Sequence, residues 1–264
     1  MHRLEAASFD LFSRYSHVHA FRTRHLGPEP LSILDVGDPA GTIDVLFPAD
    51  HTVSLDLYAD DASTERGHQH VVGSGFDLPF ADGTFDLVAS HDVFEHVPAD
   101  RRLDIVNELL RVSRGPVVLV APFDDLRTRR CEQIVNAQFA TRVGRSLSPL
   151  DEHAACGLPD LDALTTWLAE QDVDHLVHGD GWLYHWLAFY LIKASLVSDG
   201  AHDDLCGLDL AINQRLQEAD HRTPHYRRTV IMRPGVERLD LPPLQAEETP
   251  DAVGAEVDRL TQLG

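Results

Sequence analysis

The sequence is poor in lysine, in cysteine and in long apolar runs. Lys193 is the only lysine, so arginine supplies the rest of the 22 basic residues. The 3 cysteines, Cys131, Cys156 and Cys206, are too scattered for a CxxC metal knuckle or a small disulfide framework, so we expect free thiols. No run of about 18 apolar residues occurs, and charges interrupt the segment where a signal peptide would be apolar. The sequence therefore predicts a cytoplasmic protein with no membrane insertion.

The charge balance is strongly acidic. Asp and Glu number 43, and the formal net charge is −21. A field of this sign repels phosphate backbones and anionic membranes, which argues against nucleic acid as a partner. The short basic run RTRR at 127–130 is the one candidate exception, but a solvated helix start explains it better because nucleic-acid patches are usually longer.

Short apolar runs alternate with helix-like segments from Leu31 onward. Five of them are predicted strands: LSILDVG, TVSLDLY, HQHVVGSG, FDLVASHD and GPVVLVAPF. Their apolar character is continuous, which is typical of strands covered on both faces of a parallel sheet. The segment ADRRLDIVNELLRVSR supplies a crossover helix between the last two strands. The pattern predicts an α/β fold, a Rossmann-like and mostly parallel sheet with helices on both faces.

The pattern changes after Pro122. The stretch SPLDEHAACGLPDL is turn-rich and predicts an irregular insertion, and the apolar helix WLYHWLAFYLIKASLV precedes a final strand, YRRTVIM, which we expect to be antiparallel. The tail is polar, and we expect it to close with one loosely attached helix. The 264 residues then divide into a leading helix (1–30), a core (31–122), a C-terminal part of the sheet with a helical cap insertion (123–233), and the tail (234–264).

The stretch ILDVGDPAGTIDVL, residues 33–46, indicates a buried strand, a glycine-bearing turn and a helix. Asp35, Gly37 and Gly41 place small residues where a backbone would approach a ligand, although tight strand-to-helix packing alone explains such a turn equally well. No GK[ST] follows, which excludes a P-loop. Pro39 stands where a dinucleotide-binding loop has its second glycine, which argues against a nicotinamide dehydrogenase.

Carboxylates follow the next strands at the edge where open α/β sheets bind ligands. Asp56 ends the strand in SLDLY, where one carboxylate can accept two hydrogen bonds from a ribose diol. Asp77, in GFDLPFADG, is placed to accept from the exocyclic amine of adenine. Each acid alone could be solvated, but their order favours a nucleoside ligand.

These segments resemble class I S-adenosylmethionine-dependent methyltransferases, particularly the branch with the motif LPF.DG.FD.V...DVLEHV. The resemblance covers residues 31–122, and its most specific block is DLPFADGTFDLVASHDVFEHVP. It implies S-adenosyl-L-methionine as cofactor, with Asp56 on its ribose and Asp77 with Leu78 beside its adenine. The full set of cofactor-binding residues implied is Asp35, Gly37, Asp38, Gly41, Asp56, Leu57, Asp77, Leu78, Ser90 and His91.

The sequence departs from that family at Asp38-Pro39, where Cys or Gly followed by Gly is more usual. Proline donates no backbone hydrogen bond. The loss of one loop amide matters less for a zwitterionic amino-acid tail than for pyrophosphate, so we expect the cofactor still to bind.

The segment HDVFEH, residues 91–96, is expected to turn into a short helix with Asp92, Glu95 and His96 on one face. It resembles a D/E-x-x-E-H cluster that binds a divalent metal in small-RNA 2′-O-methyltransferases and ubiquinone-pathway O-methyltransferases. A Glu-His pair also occurs here in members without a metal, so a metal stays unassigned. His96 is a second candidate for catalysis.

The first candidate base is His153, predicted to lie on the irregular insertion with Glu152 as the partner that orients its ring. The pattern APF…E…N…EH…GLP resembles a methyltransferase subgroup of glycan or glycolipid modification, which implies O-methylation of a small polar or saccharide acceptor. A structural loop histidine explains His153 about as well.

Several alternatives stay open. A non-catalytic scaffold would bind the cofactor without turnover, an N- or C-methyltransferase would differ only in its acceptor, and an NAD-dependent oxidoreductase is disfavoured by Pro39. The aromatic stripe WLYHWLAFY could line an acceptor pocket, although a core or a homodimer interface is more usual.

Overall fold

The computed structural model describes residues 5–58, 68–215, 222–236 and 252–262. Its centre is a seven-stranded sheet in the order β3-β2-β1-β4-β5-β7-β6. The strands are β1 Ser32–Val36, β2 His51–Asp56, β3 His70–Val72, β4 Leu87–His91, β5 Val117–Pro122, β6 His175–Trp182 and β7 His225–Met232. Strand β7 runs antiparallel to both its neighbours, while the pairs among β1 to β5 are parallel. The predicted Rossmann-like fold with an antiparallel last strand is confirmed.

The helices are numbered here in chain order over the described residues. They are α1 Phe9–His25, α2 Thr42–Leu46, α3 Arg102–Val112, α4 Leu126–Arg142, α5 Ser148–Cys156, α6 Leu161–Glu170, α7 Leu183–Ser198, α8 His202–Arg215 and α9 Ala252–Thr261. Short 3₁₀ turns cover Phe94–His96 and Ala99–Arg101. Among these helices, none is both long and apolar enough to cross a membrane.

Both faces of the sheet are covered, which explains the continuous apolar runs. Every residue of β4 and β5 is buried. Side chains such as Leu34 and Val88 pack against α3 on one face, and their sequence neighbours Ile33 and Leu87 pack against α1 on the other. Alternate residues of a strand point to opposite faces, so a strand buried on both sides must be apolar throughout.

The stretch SPLDEHAACGLPDL was expected to be irregular, and that prediction is wrong over its first part. Residues Ser148–Cys156 form helix α5, with Pro149 in its first turn, where proline fits because that amide would have no partner in the helix. Gly157, with φ of 69°, ends it. Helix α5 lies against the 3₁₀ turn that follows β4, so the cap reaches the carboxyl edge of the sheet.

The C-terminal helix is better anchored than the sequence predicted. Leu260 of α9 is fully buried in a cluster with Phe189 of α7 and Ile212 of α8. Glu256, also buried, pairs with Arg259 and lies near Arg222. Burial of an apolar side chain and pairing of a buried acid both fix a helix in place, so the expectation of a loosely attached helix is wrong for Ala252–Thr261. Residues 237–251 of the predicted tail lie outside the described ranges.

Candidate functional site

The turn after β1 is built around two glycines with positive φ. A Cβ on Gly37, whose φ is 98°, would lie 2.1 Å from Cγ2 of Val93, so only glycine fits. Its amide donates to the carbonyl of Leu55 at 2.7 Å, which ties the turn to β2. Gly41, with φ of 67°, immediately precedes α2. The glycines therefore serve the tight strand-to-helix turn and at the same time keep the carboxyl edge of β1 bare of side chains.

Asp38 closes this turn from inside. Its Oδ2 accepts from the amide of Ile43 in α2 at 3.1 Å, and its side chain is buried. Burial, reinforced by the charge of Asp35, raises the pKa of Asp38 to about 6. Pro39 is exposed beside it, where its missing amide leaves no buried group unpaired.

A cavity of about 200 Å³ opens at the carboxyl ends of β1 and β2. Gly37, Asp56 and Leu57 line it together with Gly73, and Phe76 and Val97 supply an apolar wall. One carboxylate oxygen of Asp56, Oδ1, accepts from the amide of Tyr58 at 3.0 Å, while the other accepts no hydrogen bond from the residues described here. We call this space the cofactor cavity. Its arrangement, an acid at a strand end beside glycines and an apolar slot, suits a nucleoside.

Three of the predicted cofactor residues lie beneath the cavity and do not line it. Asp35, Ser90 and His91 are all buried. Asp35 accepts from the hydroxyl of Tyr15 at 2.7 Å, and Nδ1 of His91 lies 3.3 Å from its other oxygen. Burial first, and then the charge of Asp35, raise the pKa of Tyr15 well above its ordinary value, which keeps the phenol protonated and donating. The contacts of Asp35 with Tyr15 and His91 join α1 to the floor of the site.

The predicted adenine pair is split between surface and core. Asp77 is exposed and does not line the cofactor cavity, although its neighbour Phe76 does. Leu78 is buried, and its amide donates to Oε2 of Glu108 at 2.8 Å. Their contact with adenine stays a prediction.

A second cavity, of about 220 Å³, lies under the cap between α1, α5, α7 and β7. His96 lines both cavities, so the two spaces meet at its ring. Trp186, Tyr190 and Tyr226 form the aromatic wall. We call this space the acceptor cavity. A more voluminous space, about 790 Å³, lies at the edge formed by residues 171–176 and 233–236, away from the predicted site residues.

Glu95, His96 and His153 meet at the boundary of the acceptor cavity, with one ligand-capable atom from each within 4.8 Å of the others. Oε2 of Glu95 and Nε2 of His153 are buried and have no hydrogen-bond partner among the described residues. Burial raises the pKa of Glu95 well above its ordinary value, and the charge of Asp92 adds to this. Burial lowers the pKa of His96, with a further contribution from His153. Burial therefore disfavours the charged form of both side chains.

His153 is oriented by Glu132, so the predicted partnership with Glu152 is wrong. Nδ1 of His153 lies 2.9 Å from Oε1 of Glu132, which also accepts from the hydroxyl of Tyr226 at 2.9 Å. Oε2 of Glu152 instead lies 2.7 Å from Nδ1 of His96. Consecutive residues of a helix point in different directions, so Glu152 of α5 contacts His96, while His153 contacts Glu132.

Glu132 is the first glutamate of the pattern APF…E…N…EH…GLP, which assigned it no role of its own, and it proves central to the geometry. It lies on α4 beside Cys131 and close in sequence to Val135, both buried. An acid within a buried helix stripe needs a partner, and that signal was available in the helical spacing.

Asp92 does not join the group of three. Two guanidinium groups hold it: Arg227 donates to its oxygens at 2.8 and 2.6 Å, and Arg14 donates at 3.2 Å. Burial alone would raise the pKa of Asp92, but Arg227 and Arg14 outweigh it and keep that pKa below its ordinary value. The expected grouping of Asp92 with Glu95 and His96 is therefore wrong, because the third member is His153.

Residues 35–120 match a family model described as a methyltransferase domain. These residues are therefore similar to a methyltransferase domain, in agreement with the resemblance found in the sequence.

Curated relatives point the same way. An "Uncharacterized methyltransferase" of Mycobacterium sp. (strain KMS) is 33% identical over 131 residues, which cover 45% of this chain and 51% of the relative. Another, from strain JLS, is 34% identical over 93 residues, covering 33% of this chain and 36% of the relative. The chain thus spans about half the length, or less, of the curated relatives that it matches.

The fold is shared more widely than the sequence. A candidate methyltransferase of an antibiotic biosynthesis pathway in Anabaena variabilis aligns with a TM-score of 0.51 and 12% identity, over 84% of this chain and 99% of that one. The two chains therefore share a fold.

Proposed function

We propose that the protein transfers a methyl group from S-adenosyl-L-methionine to an oxygen of a small polar acceptor, with a saccharide hydroxyl as the preferred class. The observation that carries the proposal is the position of His96, which lines both the cofactor cavity and the acceptor cavity. Two cavities that meet at one side chain allow a donor and an acceptor to approach in line, and methyl transfer depends mainly on such positioning.

The residues around the cofactor cavity fit this donor. The free oxygen of Asp56 can accept from a ribose hydroxyl, and such hydrogen bonds to a charged oxygen are strong. Phe76 and Val97 offer an apolar slot for a base. Gly37 leaves backbone exposed where an amino-acid tail would lie. When bound, S-adenosyl-L-methionine supplies an electrophilic methyl group on sulfur.

Nε2 of His153 is the proposed acceptor of the proton that the substrate hydroxyl loses. Nδ1 of His153 is committed to the carboxylate of Glu132, which leaves Nε2 as the acceptor atom of the neutral ring. Nε2 is buried without a described partner on a side chain that lines the acceptor cavity. As the acceptor oxygen bonds to the methyl carbon and the carbon–sulfur bond breaks, Nε2 of His153 takes the hydroxyl proton. Glu132 stabilises the imidazolium that results.

The aromatic wall and the polar corner together favour an organic acceptor of limited size. Ligand pockets combine apolar and aromatic lining with a few placed polar groups, as here. A cavity of about 220 Å³ closes around a small molecule or one unit of a larger one. The saccharide class rests on the resemblance of the APF…E…N…EH…GLP pattern, and N- or C-methylation would use the same cofactor cavity.

Calorimetric titration with S-adenosylhomocysteine tests the cofactor assignment. We expect the wild type to bind it in preference to NADH, and Asp56→Ala to lose about 1.5–3 kcal/mol of binding free energy because a hydrogen bond to a charged group is removed. Glu170→Ala, which removes an exposed acid at the end of α6, is the matched control and should bind normally. Unchanged affinity in a folded Asp56→Ala variant would refute the ribose assignment, and preference for NADH would refute the class.

A further inference from the structure

Positive charge is concentrated in the acceptor cavity. Arg14, Arg227 and Lys193 all line it, in a chain whose formal net charge is −21. Lys193 is also the only lysine of the sequence. Three cations around one small cavity of an acidic protein need an explanation, which depends on how many of them are already neutralised.

Arg227 is fully committed to carboxylates. It donates through Nε and a terminal nitrogen to Asp92, and the same terminal nitrogen donates to Asp10 at 2.8 Å. Its side chain is only 4% exposed, so these bonds hold it within the wall. A buried arginine with two acids needs no ligand to balance its charge.

Arg14 is only partly satisfied. One terminal nitrogen donates to Oδ2 of Asp92 at 3.2 Å, and the other lies 3.7 Å from Asp10. Its Nε is buried and has no hydrogen-bond partner among the described residues. A buried N–H of a charged group without an acceptor is costly, so this donor is suited to an incoming oxygen.

Lys193 forms no ion pair within the described part of the chain. Its ammonium lies 5.1 Å from the centre of the Tyr190 ring and 5.6 Å from that of Phe189. The side chain is half-buried, and these aromatic contacts orient it without neutralising it. Asp209 lies close enough for the charge of Lys193 to lower its pKa, against the larger opposite effect of burial, but the two form no ion pair among the described residues. Oδ1 of Asp209 instead accepts from the amide of Phe9 at 2.7 Å.

The acids of the cavity do not balance this charge. Asp10 and Asp92 are shared between the two arginines. Glu95 lines the cavity as well, but neither Lys193 nor Arg14 forms an ion pair with it among the described residues. The ammonium of Lys193 and the Nε–H of Arg14 therefore have no acidic partner among the described residues.

From this we infer that the methyl acceptor carries an oxyanion, a carboxylate or a phosphate, held by the ammonium of Lys193 and Nε of Arg14, while its nucleophilic oxygen faces His153. The inference rests on the proposed function, because it assigns the acceptor class of the same site. Both ends lie in one cavity of about 220 Å³, so the anionic group and the reacting oxygen belong to the same small molecule or the same sugar unit.

Ligand-observed NMR titration of the full chain, saturated with S-adenosylhomocysteine, tests the inference with D-glucuronate, inorganic phosphate and neutral D-glucose. We expect at least one anion to bind, and D-glucose to bind about tenfold more weakly or not at all. Lys193→Met, which keeps an apolar stem of similar length, should weaken the anion by about ten- to a hundredfold, the range expected for a hydrogen bond between charged groups. Lys193→Arg should retain most of the affinity. Arg145→Met, which removes an exposed cation outside the cavity, should change nothing.

The outcomes separate the two proposals. Binding of glucuronate alone would identify a carboxylate, and binding of phosphate alone a phosphate ester. Equal binding of D-glucose and D-glucuronate, no binding of either anion, or a folded Lys193→Met variant that matches Arg145→Met would overturn the anionic acceptor while leaving methyl transfer intact. Anion binding that depends on Lys193 in a protein that fails to bind S-adenosylhomocysteine would instead keep the anion site and refute the proposed function. Lys193→Gln, checked for folding by circular dichroism, replaces the Met variant if that one unfolds.

Discussion

The exchange Glu132→Gln tests the proposed base most sharply. The substitution keeps the size of the side chain and removes only its charge. Oε1 of Glu132 accepts from Nδ1 of His153 and from the hydroxyl of Tyr226, both at 2.9 Å, in a side chain that is 8% exposed. An amide can turn its NH₂ group toward Nδ1, which would place the ring proton on Nε2 and block that atom as a base.

The magnitude follows from the contact. In a Ser-His-Asp triad the same change from carboxylate to amide lowers kcat by about 10⁴, because it fixes the wrong tautomer. General-base catalysis is worth about 10²–10⁴, so we expect kcat of Glu132→Gln to fall within that range.

The assay is kcat at a fixed neutral pH with an acceptor that turns over, at saturating S-adenosyl-L-methionine. His153→Ala should show the full loss, with nearly unchanged cofactor affinity. Tyr226→Phe keeps the carboxylate and removes one hydrogen bond, so its kcat should change by less than about tenfold. A Glu132→Gln variant with normal kcat would refute the dyad, and a normal His153→Ala variant would make His96 the base.

Two further outcomes are expected. Turnover should persist in EDTA, because Asp92 is bound by Arg227 and Arg14 and leaves only Glu95, His96 and His153 to hold a cation; loss of activity with chelator that Mg²⁺, Mn²⁺ or Zn²⁺ restores would contradict this. Leu260→Ala should reduce the free energy of unfolding by about 2–5 kcal/mol in urea denaturation, since Leu260 is fully buried. The control Gln262→Ala, at an exposed position, should change the free energy of unfolding little. Equal stability of the two variants would contradict the anchoring of α9.

The sheet and the glycine turn could be predicted because their sequence signals are local. Strands β1, β4 and β5 are buried on both faces, so each is a continuous apolar run in the sequence. Gly37 stands directly after β1, and the parallel register brings it to the same edge as Asp56. Such a pattern depends only on neighbours in the sequence, so it can be recognised before the fold is known.

The residues that orient His153 could not be predicted in the same way. Glu132 and His153 are 21 positions apart on two helices, and only the packing of α4 against α5 brings them together. The sequence placed His153 on an irregular loop because Ser148, Pro149 and Gly157 resemble turn residues. In the fold they begin and end a short helix, where proline in the first turn and glycine after the last are equally at home.

The charged partners of Asp92 could not be predicted from the sequence either. Its spacing from Glu95 and His96 suggested one face of a helix. Its φ of 51° turns the backbone out of that geometry, and its carboxylate is held by Arg14 and Arg227, which lie 78 and 135 positions away. Contacts between the leading helix, the fourth strand and the last strand are set by the topology of the whole sheet.

The two cavities differ in where their residues lie along the chain, and this bears on how far the relatives inform the acceptor. The cofactor cavity is lined by residues between Val36 and Ile105, all inside the matched range 35–120. The acceptor cavity draws Arg14 from α1, His153 from the cap and Lys193 from α7, all outside that range. The match to a methyltransferase domain therefore bears on the cofactor cavity. For the acceptor cavity, the search for a substrate begins with the charge and shape of α1, α5 and α7.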